Sequence, residues 1–186
     1  MILLVGLGNP TPDSNDNRHN IGFKIIDSIN QKFGLSKQKP KFKGLLTTGN
    51  ISNKKVYAIK PLTFMNNSGI CIRELIEYFK IDPQDVIVFH DDLDVDFAKI
   101  KVKFGGSSAG HNGIASIDKF IGKDYSRVRI GIGKPEKKIE VSDFVLSNFT
   151  EEEKVDLEKV IQNIIDSMPI LLDKKLDLFS STVNNK

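Results

Sequence analysis

The amino-acid sequence predicts a single α/β domain with a twisted, mixed β-sheet and helices on both faces. Short apolar runs alternate with longer segments in which apolar residues recur every three or four positions, and these two periods indicate strands and helices. No repeat and no linker divides the 186 residues, a length that one domain commonly has. Strands that alternate with helices are typical of α/β proteins, so residues 1–186 are expected to form one domain.

The first half of the chain predicts three strands and two helices. In chain order, these elements are a buried strand at 3–5, a helix at 20–33 that ends at Gly34, a basic loop at 37–43, a hairpin of strands at 45–51 and 55–59, and a helix at 67–80. Each helix places its apolar residues on one side, which is the pattern of a half-buried helix. Ser52-Asn53 supplies the turn of the hairpin.

The second half predicts three further strands and two helices. In chain order, these are an apolar strand at 86–89, a half-exposed strand at 98–104, a Gly/Ser loop at 105–110, a helix around 114–121, a strand at 128–132 and an acidic helix from Thr150 to Met168. Thr150 and Glu153 have the spacing of a capping box. The C-terminal helical segment, about 150–180, is expected to pack near the functional cleft.

Composition argues against a membrane-spanning or disulfide-rich protein. Apolar residues make up 39% and charged residues 27% of the chain, and no apolar stretch approaches the ~20 residues that span a bilayer. No secretory signal is recognisable at the N-terminus. Cys71 is the single cysteine and has no partner for an internal disulfide. A reducing cytoplasm is therefore the expected compartment.

Charge is distributed unevenly along the chain. Residues 1–60 hold ten Lys or Arg against three Asp, and residues 95–138 hold ten against four acidic residues. Two basic blocks on one small domain suit a phosphate-rich partner. Lys-rich loops that are simply solvated would give the same counts.

Polar clusters follow the predicted strands or precede the predicted helices. They are Asn9 with Arg18-His19-Asn20, the segment 63–69, His90-Asp91-Asp92, Gly110-His111-Asn112-Gly113, and Arg127 with Arg129. A site in an α/β protein is assembled at the carboxyl ends of several strands, and these clusters stand at such positions.

Several chemistries are compatible with single clusters. Gly6-Leu7-Gly8 resembles the start of a dinucleotide-binding turn, but Pro10 and Pro12 prevent a helix from starting there. A tight turn with close backbone approach explains these glycines better.

The cluster His90-Asp91-Asp92 is compatible with a metal site and with a catalytic role. Asp91 and Asp92 are adjacent on a strand and point to opposite faces, so they do not readily share a metal ion. A carboxylate at this position can instead accept a hydrogen bond from a neutral histidine and raise its basicity. The segment around His111 is also compatible with a helix start capped by Asn112.

A nucleophilic serine is not favoured. No G-x-S-x-G turn is present, and the order of residues does not match hydrolases that use one. A water molecule activated by a histidine is the simpler alternative.

Taken together, the clusters resemble bacterial-type peptidyl-tRNA hydrolases. The resemblance spans roughly residues 3 to 170, with every motif in order. The matching segments are V-G-L-G-N-P (5–10), R-H-N-I-G (18–22), P-L-T-F-M-N (61–66) with S-G (68–69), H-D-D-L-D (90–94), G-H-N-G (110–113) and R-V-R-I-G-I-G (127–133).

The resemblance implies a monomeric hydrolase without metal, cofactor or covalent intermediate, which requires no protein partner or membrane. It implies cleavage of the ester between a peptide C-terminus and the 3′ ribose of tRNA, which recycles tRNA after aborted translation. By position, the expected catalytic residues are His19 as general base, Asp91 as its orienting acid, and Asn9. The expected substrate-binding residues are Asn66, Asn112, His111, Phe64 and Met65, and those expected to hold a tRNA phosphate are Lys103 and Arg129.

The sequence departs from the family pattern before the R-H-N motif. Ser14 stands where the family has an aromatic residue that can stack on the terminal adenine, and Thr11 replaces a glycine. Loss of a stacking platform removes about 1–3 kcal/mol per base, so another group must supply the contact or binding is weaker. Thr11 also predicts a differently shaped turn, since threonine avoids positive φ.

Two other functions remain as alternatives at this stage. A non-catalytic RNA-binding protein on the same fold would need neither His19 nor Asp91. A nicotinamide-dependent enzyme rests only on the incomplete glycine pattern.

Overall fold

Seven strands form one mixed sheet in the computed structural model, which describes residues 1–185. The strands are β1 (Ile2–Gly6), β2 (Lys39–Lys41), β3 (Gly44–Ile51), β4 (Lys54–Pro61), β5 (Val86–Asp92), β6 (Ile100–Phe104) and β7 (Ser126–Gly131). Their order across the sheet is β2-β3-β4-β1-β5-β7-β6. This confirms the mixed α/β sheet that the sequence predicts.

The four central strands β4, β1, β5 and β7 are parallel, whereas β2, β3 and β6 are antiparallel to their neighbours. Strands β1 and β5 are apolar without alternation until the last residues of β5, because both of their faces are covered. The carboxyl ends of the parallel strands lie at one edge of the sheet. Residues that follow these strands therefore come together there.

Helices cover both faces of the sheet. They are α1 (Ile21–Lys32), α2 (Ser68–Phe79), α3 (Asn112–Ile121), α4 (Val141–Val145), α5 (Glu151–Asp166), α6 (Met168–Leu172) and α7 (Leu176–Asn184). The buried residues of α2 and α3 form one apolar core, and those of α1, α5, α6 and α7 form the other. Among the helices of residues 1–185, none combines the length and the apolarity needed to cross a membrane.

The end of β1 and the start of α1 meet backbone to backbone. A Cβ atom added to Gly6 would lie 2.2 Å from the carbonyl oxygen of Gly22, and one added to Gly22 would lie 2.4 Å from the amide nitrogen of Leu7. Only glycine permits this approach. The tight turn expected from Gly6-Leu7-Gly8 is present, and it fixes the position of the chain that follows.

Several local predictions are confirmed. Ser52 and Asn53 have φ of 51° and 62°, as a two-residue hairpin turn of type I′ requires. Thr150 and Glu153 form the capping box of α5.

Three elements differ from the sequence-based expectation. The basic segment 37–43 is not all loop, because Lys39–Lys41 pairs with β3 as the exposed edge strand β2. Proline and lysine are tolerated at such an edge. Helix α4 was not expected, and the predicted helical segment of about 150–180 is divided into α5, α6 and α7.

Candidate active site

The carboxyl edge of the parallel strands forms the floor of a cleft of about 820 Å³. Asn9 follows β1, Met65 follows β4, and Asp91 lies near the end of β5. His19 comes from the turn before α1, and His111 from the start of α3. All five residues line the cleft, so the structure brings together residues that are distant in sequence.

Asp91 orients His19. The Nδ1 atom of His19 lies 2.9 Å from Oδ1 and 2.8 Å from Oδ2 of Asp91, and both residues are buried. An ionised carboxylate only accepts hydrogen bonds, so Nδ1 of His19 carries the proton. In the neutral ring, Nε2 then holds the lone pair, and no residue within 1–185 hydrogen-bonds to it.

His111 binds the same carboxylate with a fixed tautomer. Its Nδ1 accepts hydrogen bonds from the backbone amides of Gly113 and Ile114, at 3.1 and 3.2 Å. A nitrogen that accepts is unprotonated, so Nε2 carries the proton and donates to Oδ1 of Asp91 at 2.9 Å. The cap of α3 is therefore His111, and the alternative of Asn112 as the cap is wrong.

The two histidines keep Asp91 ionised. Burial alone would raise the pKa of the Asp91 carboxyl, but electrostatic attraction and hydrogen bonds from His111 and His19 outweigh burial. The pKa of Asp91 therefore lies well below its usual range. A carboxylate that stays charged holds the Nδ1 proton of His19 across the physiological pH range.

Asn9 presents its amide nitrogen to the cleft. Its Oδ1 accepts from the backbone amide of Met65 at 2.9 Å, which settles the orientation of the amide group. Asn20 locks the backbone of Asn9 through two further hydrogen bonds of 2.9 Å. The Nδ2 group of Asn9 has no acceptor within residues 1–185 and remains available as a donor.

The remaining expected substrate residues lie around this floor. Asn66 and Asn112 are exposed residues that line the cleft, with no side-chain hydrogen bond to residues 1–185. Phe64 is 54% exposed and has φ of 62°, a strained conformation for an aromatic residue that often marks a functional site. Met65, beside it, is buried.

His19, Asp91 and His111 are close enough together to bind a metal ion, since one ligand atom from each lies within 4.8 Å of the others. Their chemistry fits hydrogen bonding better. His111 uses the lone pair of Nδ1 to cap α3 and has a proton on Nε2, so it offers no lone pair towards Asp91. As expected, Asp92 points away from this group and pairs with Arg129 at 2.8 Å.

His90 supports the site from behind. Its Nδ1 donates to the backbone carbonyl of Asp91 at 2.8 Å, and its ring packs edge-on against His111 with centroids 5.0 Å apart. Burial, and then the neighbouring His111, lower the pKa of His90 from 6.5 to about 3. His90 is therefore neutral at physiological pH.

The segment 134–146 forms a cleft wall that the sequence motifs did not reveal. In α4 and just after it, Val141, Ser142, Val145 and Leu146 line the cleft. Lysines and a second apolar group extend the lining before α4; these residues are Lys134, Pro135, Lys137, Lys138 and Ile139. The lysines and the partial apolar spacing are visible in the sequence, but five helical residues are too few to show a period.

Arg18 attaches this wall to the floor. Its guanidinium donates to the Ser147 carbonyl and Oγ atoms at 3.2 and 3.0 Å and to the Asn148 carbonyl. It pairs with Glu153 at 2.8 Å and lies 4.6 Å from the ring centroid of Phe144. Arg18, the residue next to His19, thus contacts Phe144 of the wall and the two residues that directly follow the wall.

Lys103 and Arg129 lie beside the cleft rather than in its lining. Lys103 donates to the carbonyl of Ser107 at 3.2 Å and has no acidic partner within residues 1–185. Arg129 pairs with Asp92, which does line the cleft. Partial burial and then the charges of Arg129 and Arg127 lower the pKa of Lys103.

Ser14 is not an exposed substitute for a stacking residue. It is buried, and its Oγ lies 2.6 Å from the Oγ1 of Thr11. Thr11 has φ of −66°, so the turn avoids the positive φ that glycine would permit. Phe64 is the exposed aromatic residue of the cleft lining.

Comparison with known proteins identifies the family. The sequence model described as peptidyl-tRNA hydrolase matches residues 3–186. The chain belongs to the peptidyl-tRNA hydrolase family. Its hydrolase activity follows from this membership, and the alternative of a non-catalytic RNA-binding protein is not favoured.

Individual relatives agree over nearly the full length. The chain is 80% identical to the peptidyl-tRNA hydrolase of Pelagibacter ubique, with 100% of both chains covered. It is 41% identical to that of Bacillus subtilis, covering 94% of this chain and 93% of the relative. The crystal structure of the family member from Acinetobacter baumannii has a TM-score of 0.92 at 34% identity, covering 99% of this chain and 94% of that chain.

Proposed function

We propose that the chain hydrolyses the ester of peptidyl-tRNA with a water molecule that His19 activates. The observation that carries this proposal is the contact of His19 Nδ1 with both carboxylate oxygens of Asp91. This contact leaves the lone pair of Nε2 directed to a cleft that contains amide donors. A histidine base works well near neutral pH, because its ordinary pKa lies there.

In this mechanism, Nε2 of His19 takes a proton from water while the water oxygen bonds to the ester carbonyl carbon. The carbonyl oxygen becomes negatively charged in the tetrahedral intermediate. The bond to the ribose O3′ then breaks, its electron pair stays on O3′, and the proton passes from His19 to O3′. The products are a free peptide acid and a tRNA with a free 3′ end.

Asn9 supplies a neutral donor for the developing negative charge. Its Oδ1 is held by the Met65 amide, so its Nδ2 is directed without any reorganisation during the reaction. Donors that are oriented in advance stabilise such a charge most effectively. Asn66 and Asn112, which both line the cleft, position the terminal ribose and the water, and Phe64 and Met65 add apolar contact.

The tRNA is held outside the cleft through its phosphates. Lys103 and Arg129 flank the Asp92 side of the opening and provide charge without base readout. Lys103 is free of acidic partners within residues 1–185, and it is the better placed of the two. Arg129 must share its guanidinium between Asp92 and a phosphate.

The remaining parts of the proposal concern the whole molecule. The chain acts as a monomer in the cytoplasm, without a metal or a cofactor. The C-terminal segment of about 150–180 supports the cleft, because Glu153 of α5 pairs with Arg18 beside His19. All catalytic groups named here come from one chain.

The test is peptide release from an N-blocked aminoacyl-tRNA in the presence of a chelator. The wild-type chain is expected to stay active, and His19→Ala is expected to lose about 10²–10⁴-fold in kcat, the usual contribution of a general base. Binding of tRNA to His19→Ala should persist. A variant that keeps more than about a tenth of the wild-type rate would remove His19 from this role, and loss of wild-type activity on chelation would reject a metal-free mechanism.

A further inference from the structure

Arg127 is fully buried and belongs to a closed polar group beneath the proposed phosphate site. Its NH2 group pairs with Oδ1 of Asp118 at 2.9 Å, and the hydroxyl of Tyr125 donates to the same oxygen at 2.8 Å. Its guanidinium also lies 4.7 Å from the centre of the Tyr125 ring. Burial and the Asp118 hydrogen bond raise the pKa of Tyr125 well above its usual range, so the phenol remains a donor.

The second amino group of Arg127 reaches the loop that contacts Lys103. NH1 of Arg127 donates to the carbonyl oxygen of Ser107 at 2.9 Å, and Nζ of Lys103 donates to the same oxygen at 3.2 Å. One carbonyl therefore accepts from two cations, and it links the buried Arg127 to Lys103. Asp118 neutralises the buried guanidinium. Without this partner, the buried charge would strongly destabilise the fold.

Apart from the Ser107 carbonyl, few groups fix the position of the Lys103 side chain. It lies directly opposite Arg127 in the β6–β7 pair, and directly opposite residues share one face of a sheet. Partial burial, and then repulsion by the charges of Arg129 and Arg127, lower the pKa of its ammonium group. Its side chain runs along Gly106, where an added Cβ would lie 3.1 Å from Nζ. The Ser107 carbonyl is the one hydrogen-bond acceptor that residues 1–185 offer to Nζ.

The same loop leads to the catalytic floor. The amide of His111 donates to the carbonyl of Ser108 at 2.9 Å, and Asp118 lies on α3, the helix that His111 caps. A shift of the loop at Ser107 would therefore change the distance between Lys103 and the site of ester cleavage.

We propose that Arg127, fixed by Asp118 and Tyr125, is a positioning residue that holds the Lys103 ammonium at the place where it meets a tRNA phosphate. This inference rests on the proposed phosphate role of Lys103. Arg127 itself touches no substrate, since it is fully buried. It acts through the Ser107 carbonyl, and so it sets the distance between the ester and the tRNA phosphate that Lys103 binds.

The test compares KM for an N-blocked aminoacyl-tRNA with KM for a minimal ester that lacks the tRNA body. Arg127→Lys keeps a charge for Asp118 but cannot reach Ser107 at the same time, and it is expected to raise KM for the tRNA substrate about tenfold. Tyr125→Phe removes one hydrogen bond and is expected to raise it about threefold. Both effects should be smaller on the minimal ester. Tyr57→Phe is the matched control, because the Tyr57 hydroxyl has no hydrogen bond within residues 1–185.

Each variant is then combined with Lys103→Ala. If Arg127 acts through Lys103, neither variant raises KM further in that background. The salt dependence of KM, which phosphate contacts create, should then be the same in Lys103→Ala and in the two double variants. Additive effects would overturn the inference while leaving the phosphate role intact. An unchanged KM in Lys103→Ala alone would reject the phosphate role, and the inference with it. Should Arg127→Lys fail to fold, Tyr125→Phe decides by the same criteria.

Discussion

The floor and the wall of the cleft are built by different means. The floor consists of residues at the ends of parallel strands and at the start of two helices. Hydrogen bonds fix the side chains of Asn9, His19, Asp91 and His111 in it. The wall, 134–146, is largely exposed. It is joined to the rest of the molecule through the Lys134–Asp94 ion pair, the buried side chain of Val145 and the contact of Phe144 with Arg18. The floor therefore gains its geometry from the sheet, whereas the wall depends on a few side-chain contacts, those of Arg18 among them.

This difference predicts how each region responds to substitution. On the floor, a change of one atom alters which nitrogen carries a proton, so the rate of the chemical step should suffer. At the wall, a substitution should alter the position of a surface that lines the cleft, so KM should rise. Substitutions of Asp91 and Arg18, each with a control, test this division, and a substitution of His90 tests the burial of the floor. They follow from the largest expected effect to the smallest.

Asp91→Asn should reduce kcat by about 10³-fold or more, by analogy with other histidine bases that lose their carboxylate. The tautomer of His111 is fixed by its cap, so the amide oxygen of the new Asn would stay with His111. Its NH₂ group would then face Nδ1 of His19 and force the proton onto Nε2, the atom that must accept one. Single-turnover rates and KM, measured on the same substrate, separate this loss from a loss of binding.

Asp92→Asn is the matched control for this prediction. The Asp92 carboxylate contacts Arg129 and the amide of Asp94 but no histidine, so kcat should fall less than about tenfold. Equal losses in the two variants would show that the tautomer argument for Asp91 is incorrect.

Arg18→Lys should raise KM about tenfold and leave kcat within a few-fold of wild type. A lysine cannot reproduce the fork that binds Ser147, Asn148 and Glu153 together. The wall would then lose its fixed position, although His19 and Asp91 keep their contact. Steady-state kinetics on peptidyl-tRNA check the split between the two constants.

Arg73→Lys serves as the control for Arg18→Lys, because Arg73 pairs with Glu77 on the exposed surface of α2. Such pairs contribute little, and both constants should stay at their wild-type values. If Arg18→Lys lowered kcat by orders of magnitude with KM unchanged, the wall and the floor would not be separable.

His90→Asn should make stability less dependent on pH. The pKa of His90 is lowered to about 3 in the folded chain, and an unfolded histidine titrates near 6.5. Between these values the unfolded chain binds a proton that the folded chain does not, so stability is complete above 6.5 and falls as pH decreases towards 3. The wild-type free energy of unfolding should drop by about 2 kcal/mol more than that of the variant between pH 7 and pH 5.

Urea unfolding at the two pH values measures this difference. The Asn side chain can still donate to the carbonyl of Asp91, which keeps the local hydrogen bond. An equal pH dependence in both proteins would mean that His90 is not the buried group that titrates.

The floor was largely predictable from the sequence, because polar clusters that follow apolar strands meet at one edge of a parallel sheet. His19, Asp91 and Asn9 were assigned from their motifs, and the structure brings them into one cleft. Their catalytic roles stay predictions. The capping of α3 by His111 was not foreseen, since a histidine is a rare cap and asparagine a common one.

The wall could not be predicted for a different reason. Helix α4 has five residues, and its position depends on contacts with Arg18, more than a hundred residues earlier in the chain. Local patterns carry no information about such contacts. Edge strand β2 was missed because lysine and proline disfavour strands, whereas pairing with β3 outweighs that preference.

The backbone contact between Gly6 and Gly22 has a consequence for how this protein can vary. Asn9 and His19 follow and precede these two glycines by three residues each, so the approach of the two main chains limits how far apart the two proposed catalytic side chains can lie. Core side chains such as Ile25 and Ile26 can be exchanged for others of similar size at a cost in stability, without altering that approach. Core residues can therefore be substituted during evolution, whereas the two glycines cannot.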